Sequence, residues 1–80
     1  MESISKMRDE MNTLNENLLE IFLRRMSLSK EIITLKLKRG LEVYDPARED
    51  EIIGDMTRRA GRDEEAFVRR FFVEVLELCR

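Results

Sequence analysis

The chain has no His and, in 80 residues, only one Cys, one Pro and three Gly. The lack of His excludes Ser-His and Cys-His nucleophile pairs and the usual zinc ligand sets. A lone Cys79 cannot form an internal disulfide, so nothing indicates a secreted disulfide scaffold. The scarcity of Gly and Pro, without any low-complexity run, favours a folded and helix-rich chain.

Neither sign of charge dominates, since 15 Lys and Arg oppose 17 Asp and Glu, for a formal net charge of −2. The absence of a basic surplus argues against a general nucleic-acid binder. No apolar run approaches the roughly 18 residues of a membrane span, and the first residues do not resemble a signal peptide. We therefore expect one small domain over residues 1–80, located in the cytoplasm.

What the chain does contain is a long heptad pattern of apolar residues. We call the following residues the seam: Ile4, Met7, Met11, Leu14, Leu18, Ile21, Leu28, Ile32 and Leu35. No Gly or Pro interrupts 4–39, and Gly40 suits a left-handed C-cap, which predicts a helix over 4–39. That helix would be about 54 Å long, whereas a globule of this size has a radius of gyration of about 12 Å. We therefore predict an obligate homodimer in which the seam packs against a second copy.

Two shorter helices follow. The dipeptide Asp45-Pro46 is typical of a helix N-cap and first position, and predicts a second helix over 46–60. A dense apolar pattern predicts a third helix over 64–79, and no strand-like alternation of useful length is present. The predicted fold class is all-α, with one long N-terminal helix and two shorter helices in an intertwined homodimeric bundle.

Three charged residues occupy positions where the helical period predicts apolar ones. Arg25 interrupts the seam, and a buried guanidinium is costly unless it is paired. Lys36, eleven residues later, projects from the same face. The backbones of the two residues would be about 16 Å apart, so their long side chains could converge on a small anion between them. Glu49 lies on the inward face of the second helix, where carboxylates are seldom unpartnered. Each also has an ordinary interpretation, as a snorkelling arginine, a last-turn lysine and a first-turn glutamate.

Arg8 lies beside the seam, about 25 Å from Arg25 along the helix, so the two cannot serve one small site from the same chain. An antiparallel dimer could bring the partner's Arg8 to Arg25. Together with Lys36, Arg48 and Glu49, these residues describe a cationic pocket that holds one carboxylate. Such a pocket suits a small dianion that also carries a hydroxyl.

Three segments then occur in a specific order. They are Met7-Arg8-Asp9-Glu10-Met11, the run Arg25-x-x-Leu28-x-x-x-Ile32-x-x-x-Lys36, and Val43-Tyr44-Asp45-Pro46-Ala47-Arg48-Glu49. This order resembles the all-helical chorismate mutase family, whose V-x-D-x-x-R-E junction is similar to the third segment, and the resemblance covers nearly the whole chain. It implies a three-helix subunit in an intertwined dimer with two equivalent sites. It also implies conversion of chorismate to prephenate, in the shikimate-pathway branch toward phenylalanine and tyrosine.

The resemblance also implies roles for individual residues. Arg25 and the partner's Arg8 would hold the two substrate carboxylates, and Lys36 would reach a carboxylate and the ether oxygen of the breaking bond. Glu49 would take the ring hydroxyl together with the backbone at Asp45. The remaining substrate-binding residues would be Arg48, Ile32, Leu76 and Cys79. A Claisen rearrangement is unimolecular and needs no nucleophile, so the resemblance implies neither a metal nor a cofactor.

The family carries a small polar residue near the end of its third helix, at the position that Cys79 occupies here. The Gln or Glu that it carries one turn later would fall beyond Arg80.

Two other functions are compatible with the pattern. An isochorismate-pyruvate lyase has the same fold and acts on a similar dianion, but the Asp45-x-x-Arg48-Glu49 junction favours the mutase because it supplies a hydroxyl-binding carboxylate. A non-catalytic dimeric module that docks helices would use Arg25 as a register-setting polar residue, with Glu49 as its structural partner.

Overall fold

The computed structural model describes residues 3–80, and within that range it contains three α-helices and no strand. The helices are α1 (Ile4–Lys38), α2 (Pro46–Ala60) and α3 (Glu65–Leu78), and a 3₁₀ turn over Arg62–Glu64 precedes α3. The all-α prediction is therefore confirmed. In the part of the chain that the structure describes, none of the helices has the length and hydropathy of a membrane-crossing segment.

The end of α1 is a Schellman turn centred on Gly40. This residue has φ +68°, the left-handed conformation that its missing side chain permits. The amide of Leu41 donates to the carbonyl of Lys36 at 2.9 Å, and that of Gly40 donates to Leu37 at 3.2 Å. These two bonds satisfy carbonyls that the end of the helix would otherwise leave without partners. The turn stops α1 two residues after Lys36.

The start of α2 is fixed by Asp45. Its carboxylate accepts a hydrogen bond from the amide of Arg48 at 3.0 Å, and Pro46 occupies the first helical position. Both features satisfy or remove donors that have no partner inside the helix. This cap places Arg48 and Glu49 in the first turn, directly after the loop that follows α1.

The buried core is small and lies between α2 and α3, which pack against each other. Its members are Thr57, Val75, Leu76 and Cys79, whereas α1 contains no buried residue. The molecule measures 59 × 27 × 15 Å, with a radius of gyration of 16.4 Å. Because the long helix extends beyond the other two, every residue of the seam is exposed in the single chain.

Candidate active site

A cavity of about 210 Å³ lies where α1, the loop after it, the first turn of α2 and the end of α3 meet. Its lining includes eight of the site residues predicted from the sequence, namely Arg25, Ile32, Lys36, Asp45, Arg48, Glu49, Leu76 and Cys79. The ninth, Arg8, lies outside this cavity, near the other end of α1. The tertiary structure thus brings together residues that are up to 54 positions apart in the chain.

Two cations of α1, Arg25 and Lys36, line this cavity, and both are half-buried. The ammonium of Lys36 lies 3.4 Å from the carbonyl oxygen of Val43, to which it donates a hydrogen bond. Among residues 3–80, no carboxylate forms an ion pair with Arg25 or with Lys36. Since a partly buried cation is most stable when an anion accompanies it, this wall of the cavity suits an anionic ligand.

The same cavity is lined by the carboxylate of Glu49, whose side chain is 17% exposed. Arg80 donates to both of its oxygens, from Nη2 to Oε1 at 2.8 Å and from Nε to Oε2 at 3.2 Å. The hydrogen bond to Glu49 raises the pKa of the Arg80 guanidinium above its ordinary value, although partial desolvation acts in the other direction. The two hydrogen bonds make this a two-pronged contact of the guanidinium with the carboxylate.

Asp45 and Arg48 lie at the rim of the cavity. The carboxylate of Asp45 is engaged by the N-cap hydrogen bond to the Arg48 amide. The guanidinium of Arg48 donates to Glu51 Oε1 at 3.0 Å, and both of these side chains are more than half exposed. Arg48 therefore borders the cavity, and its charge is partly compensated by the exposed carboxylate of Glu51.

Apolar side chains complete the walls. Ile32 and Leu76 line the cavity, and Ile33, Val43 and Ile52 also contribute. The buried Cys79 lies at the end of α3, where the Ser29 hydroxyl donates to its backbone carbonyl at 2.5 Å. This hydrogen bond ties α3 to α1 beside the cavity.

Sequence reasoning missed Ser29, Tyr44 and Arg80 as lining residues. Arg80 follows Leu76 by four positions, so the two share a helical face, and this spacing is the signal that could have identified it. Tyr44 belongs to the segment 43–49 that resembles the family's V-x-D-x-x-R-E junction, but no periodic pattern in the loop indicates where its ring lies.

We expect Ser29→Ala to lower the free energy of unfolding by about 1–2 kcal/mol, because the Cys79 carbonyl loses its partner in a partly buried place. Urea denaturation at fixed protein concentration measures the change. Ser27→Ala on the same helix is the matched control, since Ser27 is exposed and both substitutions change helix propensity equally. Equal stability of the two variants would show that the Ser29 bond contributes nothing.

The fold is all-α, and its cavity combines two cations that have no ion pair within residues 3–80 with the carboxylate of Glu49, a lining that suits a small anion. The family model for chorismate mutase type II matches residues 7–80, and the chain belongs to that family. Comparison with curated proteins gives 33% identity over 49 residues to the T-protein of Haemophilus influenzae. That match covers 61% of this chain, which spans only 13% of the length of that relative. No solved structure matches the chain significantly.

Proposed function

We propose that this chain is a chorismate mutase that converts chorismate to prephenate without a metal or cofactor. The observation that carries the proposal is one cavity that is lined by two cations without a carboxylate partner within residues 3–80, Arg25 and Lys36, and by the largely buried carboxylate of Glu49. Chorismate presents the complementary groups, which are two carboxylates, an ether oxygen and a ring hydroxyl. Family membership supports the same activity.

The reaction is a rearrangement within one molecule. The ether C–O bond breaks while a C–C bond forms between the two ends of the same substrate, and no atom is gained or lost. Two effects are available to the protein. It restricts a flexible substrate to its compact, reactive conformer, and it places fixed positive charge where negative charge develops on the ether oxygen.

Lys36 and Arg25 have different tasks in this mechanism. The ammonium of Lys36 donates one hydrogen to Val43 and retains others for a substrate carboxylate and for the ether oxygen. Arg25 binds a carboxylate with its planar guanidinium, which suits two-pronged hydrogen bonding. Ile32 and Leu76 provide the apolar walls that hold the compact conformer.

Glu49 accepts a hydrogen bond from the ring hydroxyl, assisted by the backbone at Asp45. Arg48 closes this end of the site, and Cys79 occupies the position near the end of α3 at which the family carries a small polar residue. A site built to hydrogen-bond a substrate hydroxyl discriminates strongly against analogues that lack the hydroxyl. The carboxylate therefore supports a substrate that is hydroxylated at this end.

The active form in this proposal is a homodimer. The seam of α1 is exposed along its whole length, and an apolar hollow between α1 and α3 is lined by Leu18, Leu19, Phe22, Phe71, Val75 and Leu78. Exposed apolar surface of this extent is typical of an interface. A second copy packed antiparallel along the seam would cover both features and deliver the partner subunit's Arg8 to the cavity.

Mixed dimers test this arrangement. Arg8→Ala and Arg25→Ala homodimers should both be inactive, because each site lacks one carboxylate-binding cation. After random subunit exchange between equal amounts, about half of the dimers are mixed and each has one intact site. We therefore expect activity to recover to about one quarter of that of the wild type.

The recovery is measured as chorismate consumption after the two variants are unfolded and refolded together. Refolding each variant alone is the control for folding yield. If the mixture stays as inactive as its components, Arg8 does not act across an interface.

The activity itself is tested by the loss of chorismate absorbance when purified protein is added, with prephenate identified as the product. Isochorismate serves as the comparison substrate, with salicylate as the product to look for. Saturable conversion of chorismate is the expected result. A well-folded dimer that converts no chorismate contradicts the proposed function.

A further inference from the structure

The carboxylate of Glu49 is already engaged in the structure. Arg80 donates to both of its oxygens at 2.8 and 3.2 Å, and the contact joins the first turn of α2 to the end of α3 across 31 positions of sequence. Neither the proposed mechanism nor the sequence patterns assign Arg80 a role.

We propose that Arg80 is a positioning residue, which orients the Glu49 carboxylate for the substrate hydroxyl and keeps it away from the two anion-binding cations. This inference rests on the proposed function, because it assigns Glu49 the hydroxyl-accepting role. A carboxylate has about four lone-pair sites. Two hydrogen bonds from Arg80 therefore leave acceptor capacity on Glu49 for a hydroxyl that enters the cavity.

Glu49 needs such a restraint because of its neighbours. Its flexible side chain lines the same cavity as Arg25 and Lys36, neither of which has an ion pair in the described residues 3–80. A Glu49 carboxylate without Arg80 would be attracted to these cations. It would then occupy the groups that the substrate carboxylates require and leave the hydroxyl without its acceptor.

Arg80 also compensates the negative charge of Glu49. The cavity is lined by four cationic side chains and two carboxylates, which leaves a net charge of +2. The cationic residues are Arg25, Lys36, Arg48 and Arg80, and the carboxylates are those of Asp45 and Glu49. Without Arg80, the charge of the Glu49 carboxylate would be uncompensated beside a doubly negative ligand, which is an effect that depends on Glu49.

Arg80 is itself held in place. Its guanidinium carbon lies 4.6 Å from the centre of the Tyr44 ring, and its Nη2 donates to the Tyr44 hydroxyl at 3.4 Å. A guanidinium over an aromatic face is stabilised by the ring quadrupole. The stacked geometry presents the planar edge of Arg80 to Glu49, which a lysine could not reproduce.

A double-mutant cycle tests the proposal. Arg80→Ala should lower kcat/KM for chorismate by about tenfold, and Arg80→Lys should recover part of the loss, because a charge-assisted pair is removed or weakened. In a Glu49→Gln background, Arg80→Ala should change kcat/KM by less than about twofold, since the group through which it acts is gone.

Arg59→Ala is the matched control. It removes an Arg–carboxylate contact of 3.4 Å, to Asp55, on the outer part of α2, and should leave kcat/KM unchanged. If Arg80→Ala has the same effect in the wild-type and Glu49→Gln backgrounds, Arg80 acts on the substrate directly or on stability, and the proposal is wrong. An increase in activity on removing Arg80 would also overturn it, because the contact would then be inhibitory.

A spectroscopic measurement separates this inference from the proposed function. In the full chain, the Arg80 Nε–H should give a resolved, slowly exchanging NMR signal that Glu49→Gln shifts and that Arg59→Ala does not. If the protein consumes no chorismate yet shows this signal, the proposed function fails while the Arg80–Glu49 contact stands. If Glu49→Gln leaves the signal unchanged, the positioning role is refuted whether or not the protein is active.

Discussion

Replacing Lys36 with Ala is expected to lower kcat by about 10²–10³-fold, because the reaction loses a preorganised cation at the ether oxygen. The ammonium is half-buried in the cavity, where its hydrogen bond to the Val43 carbonyl holds it in place before any substrate arrives. An interaction that strengthens as the C–O bond breaks acts mainly on kcat. Initial rates of chorismate loss at several substrate concentrations would separate kcat from KM.

Lys38→Ala is the matched control for this substitution. Lys38 is an exposed lysine in the same last turn of α1, so it has the same favourable position at the negative end of the helix. It does not line the proposed site. If Lys36→Ala retained turnover close to that of the wild type, Lys36 would be only a solvated last-turn lysine and its assignment would be wrong.

The second large effect is expected at Arg25. We expect Arg25→Ala to lower kcat/KM by about 10²–10³-fold, since a substrate carboxylate would lose its guanidinium partner and the reactive conformer would no longer be held. Unlike Lys36, Arg25 binds a group whose charge does not change during the reaction. KM should therefore rise along with any fall in kcat. The same chorismate assay measures both constants.

Arg25→Leu distinguishes substrate binding from a structural role. A leucine continues the apolar seam, so a substrate-binding Arg25 predicts that the variant remains a dimer and loses catalysis. If Arg25 instead set the register of helix pairing, this variant should change its oligomeric state. Analytical ultracentrifugation decides between them. Arg24→Ala, one position earlier and exposed, controls for the loss of a positive charge from this part of α1.

The sequence predicts those structural features that depend on residues close together in the chain better than those that depend on distant residues. The long heptad pattern, free of Gly and Pro, and Gly40 predict a helix over 4–39, and the structure has it over Ile4–Lys38. Likewise, Asp45 and Pro46 predict the start of α2, because a cap depends on residues only three positions apart. The 3₁₀ turn before α3 lacks a comparable local signal, and the sequence alone did not indicate it.

Part of the candidate site was also visible in the sequence. Arg25 and Lys36 lie on one face because helical geometry fixes their relative direction. The inward position of Glu49 follows from the period of α2 in the same way. The family resemblance added Asp45, Ile32, Leu76 and Cys79, which line the cavity together with these three and with Arg48. Their catalytic and binding roles stay predictions, as does the contribution of Arg8.

Local sequence patterns thus account for the three helices, for the end of α1 and the start of α2, and for the faces from which Arg25, Lys36 and Glu49 project, because all of these depend on contacts within a few residues. In contrast, the closure of the cavity by the end of α3 is a property of the folded chain, in which Ser29 is bonded to the Cys79 carbonyl and Arg80 is bonded to Glu49. Such contacts depend on how the helices pack against one another and on the reach of flexible side chains. No local periodicity encodes that arrangement.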